Sequence, residues 1–262
     1  MFTGDMLSIP TLIIALASVV ASLLTLISGF GLGTLMLPVF ALFFPLPQAI
    51  AMTAVVHLLN NVFKFWLLRG SVDRRMVLRF GVPSILGAFA GAYLLRWLEG
   101  GDGLFMGVNG PVGALELAIG LLMILFACIE LFPVFDRYTG LQGYELLGGT
   151  LSGFFGGLSG HQGALRSLFL LHSGLGKEAY IATGIAIALL VDLTRIPVYM
   201  AGWHSDMLGP EWPVLTLAVL CAFLGAYVGK RLIPKVTFRM VRLLVGAFLL
   251  GIGAAMAMGL LA

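Results

Sequence analysis

Long apolar segments dominate the sequence, and prolines, glycines and charged residues separate them. In the first half, three segments are each long enough for a helix that crosses about 30 Å of hydrocarbon: residues 48–68, 77–98 and 112–132. Before them lie an apolar run over 7–27 and a shorter run over 34–44, which Pro45 and Pro47 stop. A helix of the shorter length covers only about 16 Å. The pattern therefore predicts a helical hairpin whose second arm does not cross the membrane.

Composition places the chain in one structural class. Apolar residues make up 60% of the sequence, charged residues make up 10%, and the mean hydropathy is +1.06. A soluble domain has about a quarter of its residues charged, and a membrane β-barrel has short alternating segments rather than continuous apolar ones. We therefore predict an all-α polytopic membrane protein embedded in the lipid bilayer.

Charge and cysteine content exclude several kinds of function. The net charge is +3 and its basic excess lies in loops, which predicts membrane orientation rather than binding of nucleic acid. Cys128 and Cys221 lie in apolar runs without the spacing of metal ligands, so we expect no metal site. No nucleotide-binding motif is present, and we expect neither a cofactor nor direct use of ATP. We also expect the first helix to remain, because residues 1–9 lack the basic residues of a cleavable signal.

The second half of the sequence repeats the first about 131 residues later. Four anchors recur in the same order: Ser28-Gly29 with Ser159-Gly160, residues 49–54 with 179–184, residues 87–93 with 221–227, and Gly120 with Gly246. We therefore predict two repeats, 1–135 and 136–262, within one integral membrane domain. Each repeat contributes a short helical hairpin and three transmembrane helices.

Loop charges indicate that the two repeats have opposite orientations. Residues 69–79 form a basic loop in the first repeat, whereas the equivalent loop of the second repeat, 203–212, is acidic. The basic residues of the second repeat come one connection later, beginning at Lys230. Because basic loops stay in the cytoplasm, this is the pattern of an inverted-topology repeat, as in many secondary transporters. It predicts a multi-pass protein of the plasma membrane with both termini outside the cytoplasm.

Polar groups concentrate at a break between two apolar runs of the second repeat. Around Gly160 and Gly163, the break carries Ser159, His161, Gln162, Arg166 and Ser167. Every one of these side chains can donate a hydrogen bond, and only Arg166 carries an obligatory charge. A broken helix with donors and a positive charge at membrane depth suits a small anion. The alternative is that Arg166 reaches the interface or ties the break to a neighbouring helix.

The glycine motifs resemble those of the sulfite exporter TauE/SafE family. The resemblance rests on residues 28–33 with Pro38 and on residues 159–163 leading to Arg166 and Ser167, and it extends over about residues 16–253. It implies two four-segment halves and a transporter that exports or takes up sulfite, organosulfonates or related small sulfur anions. The motifs consist mainly of glycines, so they are specific for the fold and weak for the substrate. Leu32 departs from the fuller pattern, since many relatives have glycine there.

One helix of the first repeat carries four polar residues on one face. His57, Asn60, Asn61 and Lys64 follow spacings of three and four, which places them together on a helix. Asn60 and Asn61 suit either hydrogen bonds between helices or donors to a ligand. For Lys64 we favour a side chain that extends to the cytoplasmic interface, because Arg69 follows closely.

The equivalent helix of the second repeat carries Asp192 and Arg195, three residues apart. They form either a local ion pair that orders the helix or part of a site, since inversion places Asn61 and Asp192 at matching depths around one cavity. If Asp192 balances Arg195, then Arg166 is the charge that remains for an anion. The intramembrane acids are too few for a metal-cation site.

We therefore predict a secondary transporter that binds its anion between the two hairpins, near the bilayer midplane. Arg166 supplies the charge, and Gln162 and Ser167 fix the orientation of the anion. The other predicted substrate-binding residues are His161, Ser159, Asn60, Asn61 and Arg195. Asp192 and His161 are the candidates for ion coupling or charge balance, His161 because an imidazole titrates near neutral pH.

Two other functions stay open at this point. A passive anion channel differs by its higher conduction rate. A membrane-embedded hydrolase would use Ser159 as nucleophile and His161 as base, but residues two apart on a loop seldom come within reach, and no Gly-x-Ser-x-Gly motif is present. We therefore expect a protein that is not an enzyme. The glycine-rich face at 87–91 packs either within one protomer or between the two protomers of a homodimer.

Overall fold

The structure is a computed structural model that describes residues 8–28, 31–99, 101, 103–132, 143–170, 173–201, 211–232 and 238–261. The helices of this part of the chain are α1 (Ile9–Ser28), α2 (Gly33–Ala41), α3 (Leu46–Leu68), α4 (Arg74–Met76), α5 (Val82–Glu99), α6 (Ala114–Leu131), α7 (Glu145–Ser159), α8 (Gly163–Leu170), α9 (Lys177–Met200), α10 (Trp212–Leu232) and α11 (Phe238–Ala257). Two short strands, β1 (Gly103–Met106) and β2 (Pro111–Gly113), pair antiparallel.

The all-α membrane architecture predicted from the hydrophobic pattern is confirmed. Six described segments are long and apolar enough to cross a membrane: Ile9–Leu26, Leu46–Ser71, Arg74–Glu99, Ala114–Leu131, Lys177–Met200 and Trp212–Arg231. The last helix, α11, contains a shorter apolar stretch, Leu243–Ala257. Gly29 of the first glycine motif and residues 203–210 of the acidic loop lie outside the described residues.

Two connections differ from the prediction. Helix α3 begins at Leu46, two residues earlier than expected. Pro47 lies in its first turn, where a backbone N–H has no partner within the helix, so the proline costs no hydrogen bond there. The connection after α5 contains the β1–β2 hairpin, which the glycine-rich sequence did not indicate. This hairpin is attached to the end of α11, since Val108 N donates to Met258 O at 3.0 Å.

Helices α1–α2 and α7–α8 form two helical hairpins, and the second arm of each is short. Helix α2 has 9 residues and α8 has 8, so each covers roughly 13 Å or less, under half of the hydrocarbon thickness. The short arm predicted for the first hairpin is thus confirmed. In the second hairpin, Gly160 ends α7 with a φ of 83°, a left-handed conformation that glycine adopts without the steric cost of a Cβ.

Glycines bring α5 of the first repeat against α7 of the second. A Cβ on Gly87 or Gly91 of α5 would overlap the backbone of α7, and a Cβ on Gly153 of α7 would overlap Ser84 of α5. Backbones that approach this closely gain packing contacts, which drive helix association in lipid. Of the two alternatives for the face at 87–91, the structure therefore has the one within the protomer.

The helix pairs follow a two-fold pattern. Helix α5 packs on α7 and, equivalently, α10 packs on α1, where Gly225 faces the carbonyl of Val19. Helix α3 packs on α9, and α6 packs on α11. If the two predicted repeats are exchanged, the contact of α5 with α7 becomes the contact of α10 with α1. The contacts of α3 with α9 and of α6 with α11 each become themselves.

Helices α3 and α9 run in opposite directions, as an inverted repeat requires. Just after α3, Ser71 Oγ donates to Glu178 Oε1 at 3.1 Å, in the first turn of α9. Because the end of α3 lies beside the start of α9 and the two helices pack together, they are antiparallel. The basic end of α10 lies on this same side, since Lys230 Nζ donates to Leu67 O at 3.0 Å. We call it the basic side.

Candidate functional site

The breaks of the two hairpins face each other. A Cβ on Gly33 would lie 3.2 Å from Gly160 O, and one on Gly31 would lie 3.9 Å from the same oxygen. Because glycine has no side chain, the two backbones come into contact at these positions. The two hairpins therefore meet where their helices end, as the sequence predicts.

Asp192 is the centre of a buried hydrogen-bond network between α3 and α9. His57 Nδ1 lies 2.7 Å from its Oδ2, and Asn61 Nδ2 donates to the same oxygen at 3.2 Å. Arg195 makes two contacts with Oδ1, from Nε at 3.0 Å and from Nη2 at 2.9 Å. All four side chains are buried. The predicted pair of Asp192 and Arg195 therefore exists, but the carboxylate also joins the two repeats.

Arg195 and Tyr199 attach α9 to the end of α7. Arg195 Nη1 donates to Gly156 O at 3.2 Å, and Tyr199 OH donates to Gly157 O. The contacts of Arg195 are thus with Asp192, with backbone and with the ring of Tyr199, whose centroid lies 5.8 Å from Cζ. A contact between Arg195 and substrate stays a prediction.

A small cavity adjoins this network. Its polar lining comes from Thr25, Asn61, Lys64 and Arg166, with Gly31 of the first break beside them, and aliphatic side chains complete it. The cavity has a volume of about 10 Å³, which is room for one water molecule. An anion of several heavy atoms therefore fits only when the surrounding elements move apart.

The cavity lies on the basic side of the Asp192 network. Its residues on α3 come after His57 in the chain, and its residues on α9, such as Ile185, come before Asp192. Since α3 and α9 are antiparallel, both sets lie between the network and the basic end of these helices.

Lys64 is buried, and the interpretation that it extends to the interface is wrong. Its side chain is 2% exposed, and Nζ donates to Thr25 Oγ1 of α1 at 3.2 Å. It forms no ion pair with any carboxylate in the described part of the chain. An ammonium group in hydrocarbon needs polar partners, so Lys64 favours an anion in the cavity that it lines.

Lys64 follows Asn61 by three residues on α3, as Arg195 follows Asp192 on α9. The carboxylate of Asp192 contacts Arg195, whereas no carboxylate among the described residues pairs with Lys64. This shared spacing of three residues is visible in the sequence.

Arg166 faces the cavity from α8. Its side chain is 3% exposed, so it does not extend to the interface. Asp192 and Tyr180 act on it electrostatically, and the prediction that its charge stands alone is therefore too simple. The structure brings the predicted residues Arg166 and Asn61 to one cavity and adds Lys64.

Gln162 and Ser167 lie away from the lining of the cavity. The Gln162 side chain packs against Gly156, and its amide has no hydrogen-bond partner among the described residues. Ser167 Oγ donates to Ala164 O in its own helix at 2.6 Å. For both residues a role in orienting the anion stays a prediction, and it requires the break to rearrange.

Ser159 and His161 form a hydrogen bond, so the expectation that they do not come within reach is wrong. Ser159 Oγ lies 3.0 Å from His161 Nδ1 and donates to Phe155 O at 3.1 Å. Since a hydroxyl has one hydrogen, Ser159 accepts from the imidazole and is not activated by it. His161 Nε2 has no hydrogen-bond partner in the described ranges, and the ring stacks on Phe126. The pair therefore lacks the third group that orients a catalytic base.

Asn60 connects three helices. With its amide oriented to satisfy every neighbour, Oδ1 accepts from Lys64 Nζ at 3.0 Å, and Nδ2 donates to Ser22 Oγ at 3.0 Å and to Ala222 O at 3.2 Å. These are hydrogen bonds between helices, one of the two alternatives predicted for this residue.

His57 is the site residue to which the sequence pattern assigned no role. It is the twelfth of the 23 residues of α3 and is fully buried. A histidine in the middle of a transmembrane helix needs a polar partner, which the structure supplies as Asp192 from the other repeat. Its central position in the apolar run is a signal that the sequence already carries.

A sequence profile described as Sulfite exporter TauE/SafE matches residues 14–256. The matched range includes the breaks of both hairpins, the Asp192 network and all described residues that line the cavity. No curated protein matches the chain.

Proposed function

Because the chain belongs to the sulfite exporter TauE/SafE family, we propose that it is a secondary transporter of a small sulfur oxyanion, sulfite or an organosulfonate, in the plasma membrane. The six membrane-spanning segments support a multi-pass location. The anion binds in the cavity between the two hairpins and makes contact with both repeats.

The observation that carries this proposal is that Lys64 and Arg166 line one buried cavity. One cation comes from α3 of the first repeat and the other from α8 of the second. In a medium of low dielectric constant, two cations repel each other and attract an anion strongly. Asn61 and Thr25 add neutral donors that suit oxygens bound to sulfur.

The same lining does not suit a cation. No carboxylate lines the cavity, and the nearby carboxylate of Asp192 is engaged by His57, Asn61 and Arg195. Among the described residues, no group of three or more histidine, cysteine, aspartate or glutamate side chains could hold a metal ion.

The position of the cavity suggests how the anion crosses. By the positive-inside rule, we assign the basic side to the cytoplasm, which places both termini outside it. The cavity then lies toward the cytoplasm, and the Asp192 network with the bond from Arg195 to Gly156 O closes the opposite side. Release to that side requires these contacts to rearrange, which is alternating access between two inverted repeats.

The two alternative functions have less support. A passive channel needs a continuous pathway, whereas this cavity has a volume of about 10 Å³ and ends at a hydrogen-bonded network. A hydrolase needs a serine that donates to an oriented base, whereas Ser159 donates to Phe155 O.

A binding screen tests the site. The thermal stability of the purified protein is measured with sulfite, sulfate, thiosulfate and short alkylsulfonates, and we expect at least one of them to raise the melting temperature. Arg166→Gln should abolish this increase. The control is Arg231→Gln, which removes an exposed guanidinium that bonds Tyr227 OH, and it should keep the increase. An increase retained in Arg166→Gln contradicts the site, and no stabilisation by any of these anions contradicts the function.

Transport by proteoliposomes tests the mechanism. We expect labelled sulfite to enter at a rate that saturates with its concentration and to be recovered unchanged. A rate that does not saturate indicates a channel, and chemical conversion of the sulfite indicates an enzyme.

A further inference from the structure

We propose that the protein carries a proton together with its anion and that His57 is the residue that binds this proton. This proposal rests on the proposed function, because it links the proton to an anion in the cavity of Lys64 and Arg166. The imidazole lies between a carboxylate and that cavity.

Only one nitrogen of His57 is available to a transported proton. Asp192 Oδ2 lies 2.7 Å from Nδ1, and since a carboxylate accepts hydrogen bonds, Nδ1 carries a hydrogen in the neutral ring. Nε2 then has the lone pair. It lies against Gly31, where a Cβ would be only 3.1 Å away, and Gly31 lines the cavity.

Asn61 links the proton site to the anion site. Its Nδ2 donates to Asp192 Oδ2 at 3.2 Å and lies 3.1 Å from His57 Nδ1 and 3.4 Å from Nε2. The residue also lines the cavity. Asn61 therefore contacts the imidazole and its carboxylate on one side and the space for the anion on the other.

The charges around His57 make uptake of the proton more favourable when an anion is present. Helix α9 presents Asp192 and Arg195, which balance each other, while Lys64 of α3 itself adds a positive charge. From across the cavity, α8 presents Arg166. The described residues of α1 and α2 include no titratable side chain, and the titratable side chains of α10 are exposed or half-buried: Cys221, Tyr227, Lys230 and Arg231. An imidazolium at His57 therefore adds to the positive charge of Lys64 and Arg166, and an anion offsets this repulsion.

His161, the histidine at the second break, lacks this arrangement. It bonds to a hydroxyl, Ser159 Oγ, rather than to a carboxylate, and its ring stacks on Phe126. It does not line the cavity. His161 is therefore the competing candidate for the proton, and His161→Gln tests it directly.

Thermodynamic linkage gives the expected sign. If anion binding favours protonated His57, then lower pH strengthens anion binding by the same factor. With one proton taken up per anion, the affinity rises by at most about tenfold for each unit of pH decrease, within the range of about pH 5 to 8 where histidines titrate. A monovalent anion and one proton then cross together without net charge.

The experiment measures protons taken up when sulfite or methanesulfonate binds to the full-length protein. Titration calorimetry is carried out at one pH in two buffers of different ionisation enthalpy, which gives the number of protons per anion. We expect the wild-type protein to take up as much as about one proton more per anion than His57→Gln. Arg231→Gln, which removes an exposed guanidinium, should match the wild type. Ionisation of the anion itself is the same in every variant and cancels in the comparison.

Three results would overturn the proposal. Proton uptake that is equal in wild type and His57→Gln contradicts it, and so does uptake that is lost only in His161→Gln. If His57→Gln does not fold, the affinity of the wild-type protein for methanesulfonate is measured against pH, and an affinity independent of pH contradicts the proposal. Failure of the proposed function is distinct, because the wild-type protein then binds neither anion.

Discussion

His57 Nδ1 and Asp192 Oδ2 lie 2.7 Å apart where α3 of the first repeat packs on α9 of the second. The two residues are 135 positions apart in the chain, and both are fully buried. A polar contact of this kind at the middle of a membrane protein stabilises the interface between the repeats and is costly to remove. It is also adjacent to the cavity of Lys64 and Arg166, so we expect stability and transport to depend on the same group of side chains.

Asp192→Asn should strongly destabilise the protein. It leaves the guanidinium of Arg195 buried without its carboxylate. Removing one partner of a buried ion pair costs about 3–5 kcal/mol. We expect a large decrease in the thermal unfolding temperature of the purified protein. The double variant Asp192→Asn/Arg195→Gln should lose less than the sum of the two single variants, because it removes both charges. Additive losses would contradict the pairing.

Lys64→Gln should weaken anion binding, whereas the same substitution at a surface lysine should have no comparable effect. Loss of a hydrogen bond to a charged group costs about 1.5–3 kcal/mol, which corresponds to a decrease in affinity of at least about tenfold. Binding of sulfite by Lys64→Gln is compared with that of Lys230→Gln, which removes an exposed lysine that bonds Leu67 O. Equal affinities in the two variants would place the anion away from Lys64.

Gly91→Ala should prevent close packing of α5 on α7. The added Cβ would overlap the carbonyl of Phe154, a backbone atom that cannot move without displacing α7. Gly251→Ala is the control, because a Cβ at Gly251 of α11 has no atom within 4 Å and alanine favours a helix by roughly 0.5–1 kcal/mol over glycine. We expect Gly91→Ala to lose the monodisperse peak in size-exclusion chromatography and Gly251→Ala to keep it. Normal folding of Gly91→Ala would contradict this packing.

Gly160→Ala should lower the melting temperature more than Gly174→Ala. Both glycines have positive φ angles, 83° and 78°, and a Cβ costs about 1–2 kcal/mol in that conformation. The two substitutions differ in what the added Cβ would meet. At Gly160 it would lie 2.8 Å from Arg195 Nη1, whereas at Gly174 it would have no atom of the described residues within 4 Å. Equal decreases in melting temperature would show that Arg195 moves aside without cost.

The residues of the candidate site differ in how well the sequence indicates them. An arginine beside a glycine break in an apolar run is locally unusual, and this pattern indicates Arg166. The basic residue Arg69 close to Lys64 favours a position at the interface, and local sequence does not show that α1 covers Lys64 with Thr25. The sequence does carry one signal for Lys64, since it follows Asn61 by the same three residues that separate Arg195 from Asp192.

The sequence by itself determined the helical class, the short hairpin arms and the family resemblance, and it predicts the repeat. These depend on hydrophobic length, proline and glycine, whose effects act within a few residues. The tertiary structure decided that His57 meets Asp192, that Lys64 shares a cavity with Arg166, and that the glycines of α5 face α7. Such pairings depend on which turns of two antiparallel helices lie opposite each other, and contacts over more than a hundred residues set this register.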